Sequence, residues 1–354
     1  MSILSYLARC LHLRSSYDSS LIIRDVAYFS GSDAHVNHKL DIFLPAPSKT
    51  LLSPADEEEP QKKVPIIVHI HGGGWVRGSR THEWRGGPTI GRTSAKEGFV
   101  GVVASYRLAR ISPISFFTWS FIFGLIILIT SLAILSWQLI TGYVAFMIVA
   151  YAYKFLYKVR IPVNLEHMAD DLCRALVYVR DHIHEHCPQA DTNQIFLTGH
   201  SAGAHLISLL VLDKTHFERH NFDSSSIRGV IVMSGIYSLS NPTHDSHNNI
   251  RNLMFRILYE SSLMYPEGKT MYEYSPIEYI KADSTLPPFL VMSARFDMGL
   301  EIDAQRFVEK LRQHNYQVEY YVIGGITTHG TIASRFSKNE ARRHFFTFIR
   351  QNMI

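Results

Sequence analysis

The sequence predicts an α/β fold, in which a mostly parallel sheet is covered by helices on both faces. Short runs of β-branched and aromatic residues alternate with helical patterns along most of the chain. This alternation favours parallel strand pairing, because each helix carries the chain back across a face of the sheet. A hydrophobic fraction of 46% and a balanced net charge of +4 exclude a disordered chain and one that coats nucleic acid.

The predicted strands and helices follow in chain order. Strands are predicted at 39–45, 64–70, 100–106, 195–198, 229–233, 289–293 and 318–323. The clearest helix is predicted over 164–186, because Leu165, Met168 and Leu172 begin a series of apolar residues spaced three or four apart. Further helices are predicted at 202–212, 301–314 and 339–351. The polar, loop-rich segment 237–284 breaks this rhythm, so we expect it to cap one edge of the sheet.

One long stretch carries no charged residue. Residues 111–153 contain no Asp, Glu, Lys, Arg or His over 43 positions, whereas one membrane span needs about 20 apolar residues. The stretch therefore predicts a transmembrane helical hairpin at 111–157, with spans at 115–137 and 139–157. Basic residues flank both ends, which predicts an integral membrane protein with its folded domain in the cytosol, on the endoplasmic reticulum or another endomembrane. A buried core hairpin and a hairpin that dips into one leaflet are the alternatives.

The five residues of a G-x-S-x-G motif stand between a predicted strand and a predicted helix. They are Gly199, His200, Ser201, Ala202 and Gly203. A sharp turn in this context exposes the serine hydroxyl above the sheet, and the flanking glycines let strand and helix approach closely. The motif predicts that Ser201 is a nucleophile.

Three glycines between two aromatic side chains follow the strand at 64–70. The run consists of His71, Gly72, Gly73, Gly74 and Trp75. Glycines allow backbone N–H groups to converge without obstruction by Cβ atoms. We expect the N–H groups of Gly73, Gly74 and Ala202 to bind a developing oxyanion. A phosphate-binding loop is the alternative, but no Lys-Ser/Thr ending follows this glycine run.

A serine nucleophile needs a general base, and the base needs an acid that fixes its tautomer. Asp297 and His329 each follow a predicted strand, downstream of Ser201. The order Ser, Asp, His is the one used by hydrolases that carry this motif. Asp303 or Glu301 in place of Asp297, and another imidazole in place of His329, are the alternatives.

Together these motifs resemble the hormone-sensitive-lipase-like branch of the α/β-hydrolase superfamily. The resemblance is carried by HGGGW at 71–75, YRLA at 106–109 and GHSAGAHL at 199–206. The last string is most similar to isoprenylcysteine methylesterases and kynurenine formamidases (arylformamidases). The resemblance covers roughly 25–110 and 160–350, and it implies hydrolysis of carboxylic esters or N-formyl groups without a metal or organic cofactor. Arg110 departs from the pattern, since proline usually follows YRLA.

The predicted domains are a catalytic domain at 25–110 and 160–354, the inserted hairpin at 111–157, a cap at 237–284 and an amphipathic segment at 1–24. We expect a membrane-anchored serine esterase that acts on a lipophilic ester, such as a prenylcysteine methyl ester or an acetylated sterol. Its expected partners are that ester and the lipid bilayer, with no nucleic acid, and the oligomeric state is open. A kynurenine formamidase and a non-catalytic membrane scaffold are the alternatives.

Overall fold

The computed structural model describes two compact units. The described residues are 21–46, 63–109, 122, 124–130, 137–156, 163–239, 264–270, 272–282 and 285–354. The first unit comprises 1–108, 166–241 and 269–354, and the second comprises 109–165 and 242–268.

The first unit is built on an eight-stranded sheet. In chain order the strands are β1 (Ile22–Ala27), β2 (Lys39–Phe43), β3 (Val64–Ile70), β4 (Val100–Ala104), β5 (Ala190–His200), β6 (Ile227–Met233), β7 (Phe289–Phe296) and β8 (Val318–Thr328). Their spatial order is β1-β2-β4-β3-β5-β6-β7-β8. The pairs β1–β2 and β2–β4 are antiparallel, and every pair from β4 to β8 is parallel. The predicted mostly parallel sheet is confirmed.

Helices connect most of these strands. They are α1 (Gly87–Lys96), α2 (Trp137–Leu156), α3 (Leu165–His182), α4 (Ala202–Leu212), α5 (Thr215–Arg219), α6 (Leu300–Gln313), α7 (Thr331–Ser334) and α8 (Ala341–Asn352). The apolar stripe predicted for α3 is buried at Leu165, Met168 and Leu172. A large core cluster joins Phe196 of β5 to Phe345 and Phe348 of α8. Because both faces of the central strands are covered, their sequences are apolar runs rather than alternating patterns.

Helix α1 and strand β1 were not predicted from the sequence. Helix α1 contains Gly87, Pro88 and Gly91, residues that weaken a helical pattern. Pro88 lies in the first turn, where it is tolerated. A Cβ on Gly91 would lie 2.4 Å from the ring of Phe43, so glycine lets this helix approach the sheet closely.

The second unit corrects the membrane prediction. A helical stretch at 124–130 precedes α2, and a Cβ on Gly124 would lie 2.8 Å from the hydroxyl of Tyr143. No helix among the described residues is long and apolar enough to cross a membrane. This finding contradicts the predicted transmembrane hairpin and the predicted integral membrane protein, and it leaves the lipid bilayer without support as a partner.

The physical reason is that the absence of charge does not make a stretch uniformly apolar. The polar residues Gln138 and Thr141 lie in the first two turns of α2. There the Thr141 hydroxyl donates to the carbonyl oxygen of Gln138 (2.9 Å).

Two other predicted segments fall largely outside the described residues. The predicted amphipathic segment 1–24 overlaps them only from 21 onward, where β1 begins at Ile22. Residues 240–263 of the predicted cap at 237–284 are likewise outside. The predicted domain boundaries stay predictions.

Candidate active site

Ser201 stands at the sharp turn between β5 and α4. Its backbone has φ 54° and ψ −120°, a conformation that few residues other than glycine adopt. Its amide donates to the carbonyl oxygen of Met233 (2.9 Å), which ties the turn to β6. A Cβ on Gly203 would lie 2.2 Å from the carbonyl oxygen of Ile70, so the close packing of α4 on β3 requires glycine there.

The structure brings Ser201, His329 and Asp297 into one hydrogen-bonded chain. The Nε2 atom of His329 lies 2.9 Å from the Oγ atom of Ser201. Its Nδ1 atom lies 2.8 Å from Oδ1 of Asp297. Asp297 is buried, and its second carboxylate oxygen accepts a hydrogen bond from the amide of Ala294 (3.2 Å). An Nδ1–H tautomer, donating to Asp297, leaves Nε2 free to accept the serine proton.

Asp303, an alternative acid in the sequence, is bound elsewhere. Its carboxylate accepts hydrogen bonds from the amides of Tyr237 (2.7 Å) and Ser238 (3.3 Å). The carboxylate that contacts the His329 ring is that of Asp297.

The glycine run lies directly beside Ser201. In the sheet, Ile70 pairs with Gly199, so the ends of β3 and β5 are adjacent. A Cβ on Gly72 would lie 3.0 Å from the Cβ of Ser201. Gly73 and Gly74 have φ values of 140° and 60°, and a Cβ on Gly73 would collide with the carbonyl oxygen of Arg77 at 1.8 Å. Only glycine fits at position 73, and the run passes directly beside Ser201 at Gly72.

Trp75 anchors the glycine run from its far end. The indole is fully buried, and its Nε1–H donates to Nδ1 of His205 (3.3 Å). The Nε2–H of His205 then donates to the carbonyl oxygen of Tyr274 (2.7 Å). Burial lowers the pKa of His205 to about 4, which keeps Nδ1 deprotonated and able to accept. The sequence predicts His205 as a packed helix residue, and the structure adds a polar role.

His200 holds the backbone of His329. Its Nε2–H donates to the His329 carbonyl oxygen (2.7 Å), and the two ring centroids are 5.0 Å apart. Burial, together with the nearby His329 imidazole, holds the pKa of His200 well below its ordinary value. A neutral His200 adds no positive charge beside the His329 imidazole.

His71 and Tyr106 support the start of the glycine run. Their rings stack with centroids 4.6 Å apart, and the Tyr106 hydroxyl donates to the His71 carbonyl oxygen (3.2 Å). Burial lowers the pKa of His71 to about 3, so this ring is neutral. Behind the run, the guanidinium of Arg85 comes within 2.9 Å of the position that a Cβ on Gly73 would occupy.

Sequence reasoning did not assign these supporting contacts. The bonds of His200 and His205 reach partners that are distant along the chain, so spacing within a motif gives no signal for them. Asp171, expected to fix loop geometry, accepts hydrogen bonds from His38 and Arg107. Within the described residues, no group of three His, Cys, Asp or Glu side chains is arranged to hold a metal.

Comparisons with known proteins identify the family of this chain. The BD-FAE family profile matches residues 52–115 and 138–311. The chain belongs to the BD-FAE family. The gap between the two matched segments, 116–137, falls within the uncharged stretch.

Two curated relatives match part of the chain. A probable carboxylic ester hydrolase, LipM of Mycobacterium tuberculosis, is 30% identical over 166 residues, which are 45% of this chain and 37% of the relative. A probable isoprenylcysteine alpha-carbonyl methylesterase, ICMEL1 of Arabidopsis thaliana, is 26% identical over 173 residues, which are 46% of this chain and 36% of the relative. The matched region thus spans little more than a third of each relative.

Solved structures establish the fold over nearly the whole chain. An inhibited esterase B from Lactobacillus rhamnosis has a TM-score of 0.62 at 14% identity, covering 98% of this chain and 94% of that one. Esterase 2 from Thermogutta terrifontis, phosphoramylated by tabun, has a TM-score of 0.55 at 19% identity, covering 95% and 97%. The resemblance to the α/β-hydrolase superfamily is confirmed.

Proposed function

We propose that this protein is a serine hydrolase of carboxylic esters. The observation that carries the proposal is the hydrogen-bonded chain from Ser201 through His329 to Asp297, placed on a strained turn beside the glycine run. The names of both curated relatives describe ester hydrolysis, which supports an ester over a formamide.

The geometry supports a two-step reaction. Ser201 Oγ attacks the ester carbonyl carbon while His329 Nε2 takes the hydroxyl proton. Asp297 holds the imidazole in its tautomer and stabilises the imidazolium. The N–H groups of Gly73, Gly74 and Ala202 bind the oxyanion, and each such donor contributes about 2.7–4 kcal/mol. His329 then protonates the leaving alcohol, and a water molecule, deprotonated by His329, releases the acyl group from Ser201.

The substrate is proposed at the level of a small-molecule carboxylic ester. The relative named as an isoprenylcysteine methylesterase makes a prenylcysteine methyl ester the first specific candidate. A membrane anchor no longer supports a lipophilic substrate, so that preference rests on this likeness alone.

Hydrolysis of p-nitrophenyl esters from acetate to palmitate tests the proposal. We expect Ser201→Ala to lower kcat by at least about 10⁴-fold, since removal of the nucleophile disables the whole catalytic unit. Ser208→Ala is the matched control, because it removes a buried hydroxyl from the same helix without touching His329. Equal activity in Ser201→Ala and the unsubstituted protein would refute the assignment of Ser201.

A second measurement separates the substrate classes. Farnesylcysteine methyl ester and N-formylkynurenine are offered to the same proteins, and release of methanol or formate is followed. Turnover of the formamide without any ester would replace the proposed activity with the formamidase alternative. Failure of Ser201 to react with a fluorophosphonate probe would favour the non-catalytic alternative.

A further inference from the structure

A cavity that Ser201, His329 and Asp297 do not line lies within the first unit. Its volume is about 890 Å³, and it is lined by α1, the end of β8, α7 and the start of α8. Five cationic side chains line it: Arg92, Lys96, Arg335, Lys338 and Arg342. Six threonine and serine hydroxyls complete most of the wall, and no carboxylate is among the described lining residues.

The cations outnumber the carboxylates that pair with them. Arg92 binds Glu83 at 2.6 Å, and Arg342 binds Glu97. Neither glutamate lines the cavity. Arg335 and Lys338 are exposed, and within the described part of the chain neither is paired with a carboxylate. The cavity therefore carries an excess of positive charge that its own neighbours do not neutralise.

We propose that this cavity binds a small organic anion that carries two or more phosphate groups. Arginine forks and hydroxyl donors match phosphate oxygens, and several phosphates engage several cations at once. A single phosphate would leave most of the cavity unused, whereas 890 Å³ lies within the range of pockets that hold metabolite-sized ligands. The ligand class is thus a polyphosphorylated compound.

This cavity adjoins the candidate active site without sharing its side chains. Thr331 lines the cavity, and its Oγ1 accepts a hydrogen bond from the amide of Thr328 (2.8 Å), the residue before His329. The hydrogen bonds that join Ser201, His329 and Asp297 involve none of the five cations. Binding in the cavity does not need the Ser201 hydroxyl, so it is measured on the Ser201→Ala protein.

Calorimetric titration with sodium tripolyphosphate tests the proposal. We expect saturable binding, weakened at least about tenfold by the additional double substitution Arg335→Ala and Lys338→Ala, and weakened by added salt. The matched control is Arg228→Ala with Lys269→Ala, which removes the same charge from residues outside the cavity. Urea unfolding of each variant verifies that it is folded. Absence of binding, or equal affinity in the two double variants, would overturn the proposal.

The source of the phosphate groups is separated by two further probes. Binding of ATP that the Arg335→Ala and Lys338→Ala protein loses would identify a free nucleotide-like ligand. Binding to vesicles that contain phosphatidylinositol bisphosphate, lost in the same protein, would identify a lipid headgroup. Retention of either interaction by that protein would count against this cavity.

Discussion

Two buried carboxylates in the first unit, Asp171 and Asp297, have nearly the same exposure and opposite surroundings. Asp171 accepts hydrogen bonds from Nε2 of His38 (2.9 Å), from the Arg107 amide (2.8 Å) and from the Arg107 guanidinium (2.6 Å). Asp297 accepts hydrogen bonds from the Ala294 amide and from the His329 ring. The other nitrogen of that ring is hydrogen-bonded to the Ser201 hydroxyl.

The difference shows how one kind of group serves two purposes. The Asp171 carboxylate contacts a guanidinium and an imidazole, so it ties α3 to the residue before β2 and to the loop after β4. At Asp297 the contacts orient an imidazole whose other nitrogen faces a reactive hydroxyl. We therefore expect removal of charge at Asp297 to cost activity, and removal of charge at Asp171 to cost stability.

The largest effect is expected for Asp297→Asn. An amide at this position favours the wrong tautomer of His329, so kcat should fall about 10⁴-fold, equivalent to about 5.5 kcal/mol. Ester hydrolysis measures the activity, and urea unfolding should show a change of no more than about 1 kcal/mol. Asp303→Asn is the control, and a larger loss of kcat in that variant would reverse the assignment of the acid.

Asp171→Asn should have the converse effect. It leaves the half-buried Arg107 guanidinium with only its longer contact to Asp33 (3.6 Å), and it weakens the bond to His38, which we expect to lower the free energy of unfolding by about 1–3 kcal/mol. The number of active sites is counted by titration with a fluorophosphonate. Activity per active site should change less than tenfold. A loss of kcat with unchanged stability would show that the two carboxylates are not distinct in purpose.

An intermediate effect is expected for His205→Phe, which removes the acceptor of the Trp75 indole. The buried N–H and the Tyr274 carbonyl both lose a partner, at a cost of about 1–3 kcal/mol in stability. Because Trp75 follows the glycine run, kcat should fall while KM stays nearly constant. A double-mutant cycle with Trp75→Phe should be non-additive, whereas additivity would separate the two residues.

The last expected effect is a dependence of stability on pH. The pKa values of His71 (about 3) and His205 (about 4) lie below the ordinary value of 6.5. Between pH 6.5 and about 4, the unfolded chain therefore binds protons that the folded protein does not, and stability falls as pH falls. Each histidine contributes about 1.4 kcal/mol per pH unit. The free energy of unfolding, measured with urea at pH 7 and pH 5, should fall less in His205→Phe than in the unsubstituted protein. An equal fall in the two proteins would contradict a neutral His205.

The sequence was sufficient to predict a site residue where the local residue pattern and the chemistry point to the same position. A strand, a G-x-S-x-G turn and a helix lie next to each other in the chain, so the position of Ser201 followed directly. Asp297 and His329 followed from the strands before them, because parallel strands place their carboxyl ends at one edge of the sheet. The structure brings both side chains to Ser201.

Prediction from the sequence failed where tertiary packing, rather than the local residue pattern, determines the structure. Helix α1 is rich in glycine because it packs closely on Phe43, a reason that only the folded sheet supplies. The uncharged stretch was wrongly interpreted as two spans, since a stretch without charge still carries polar residues, such as Gln138 within α2. The bonds of His200 and His205 depend on partners 129 and 69 residues away.

The adjacency of β3 and β5 has a consequence for how this chain could diversify. Strand register, through the pairing of Ile70 with Gly199, brings the glycine run to the serine, although the intervening chain contains residues 109–165 of the second unit. Lengthening a loop tenfold costs only about 2 kcal/mol in closure entropy. A large insertion between these strands is therefore inexpensive, so new segments can be acquired and exchanged there while the chemistry is inherited unchanged.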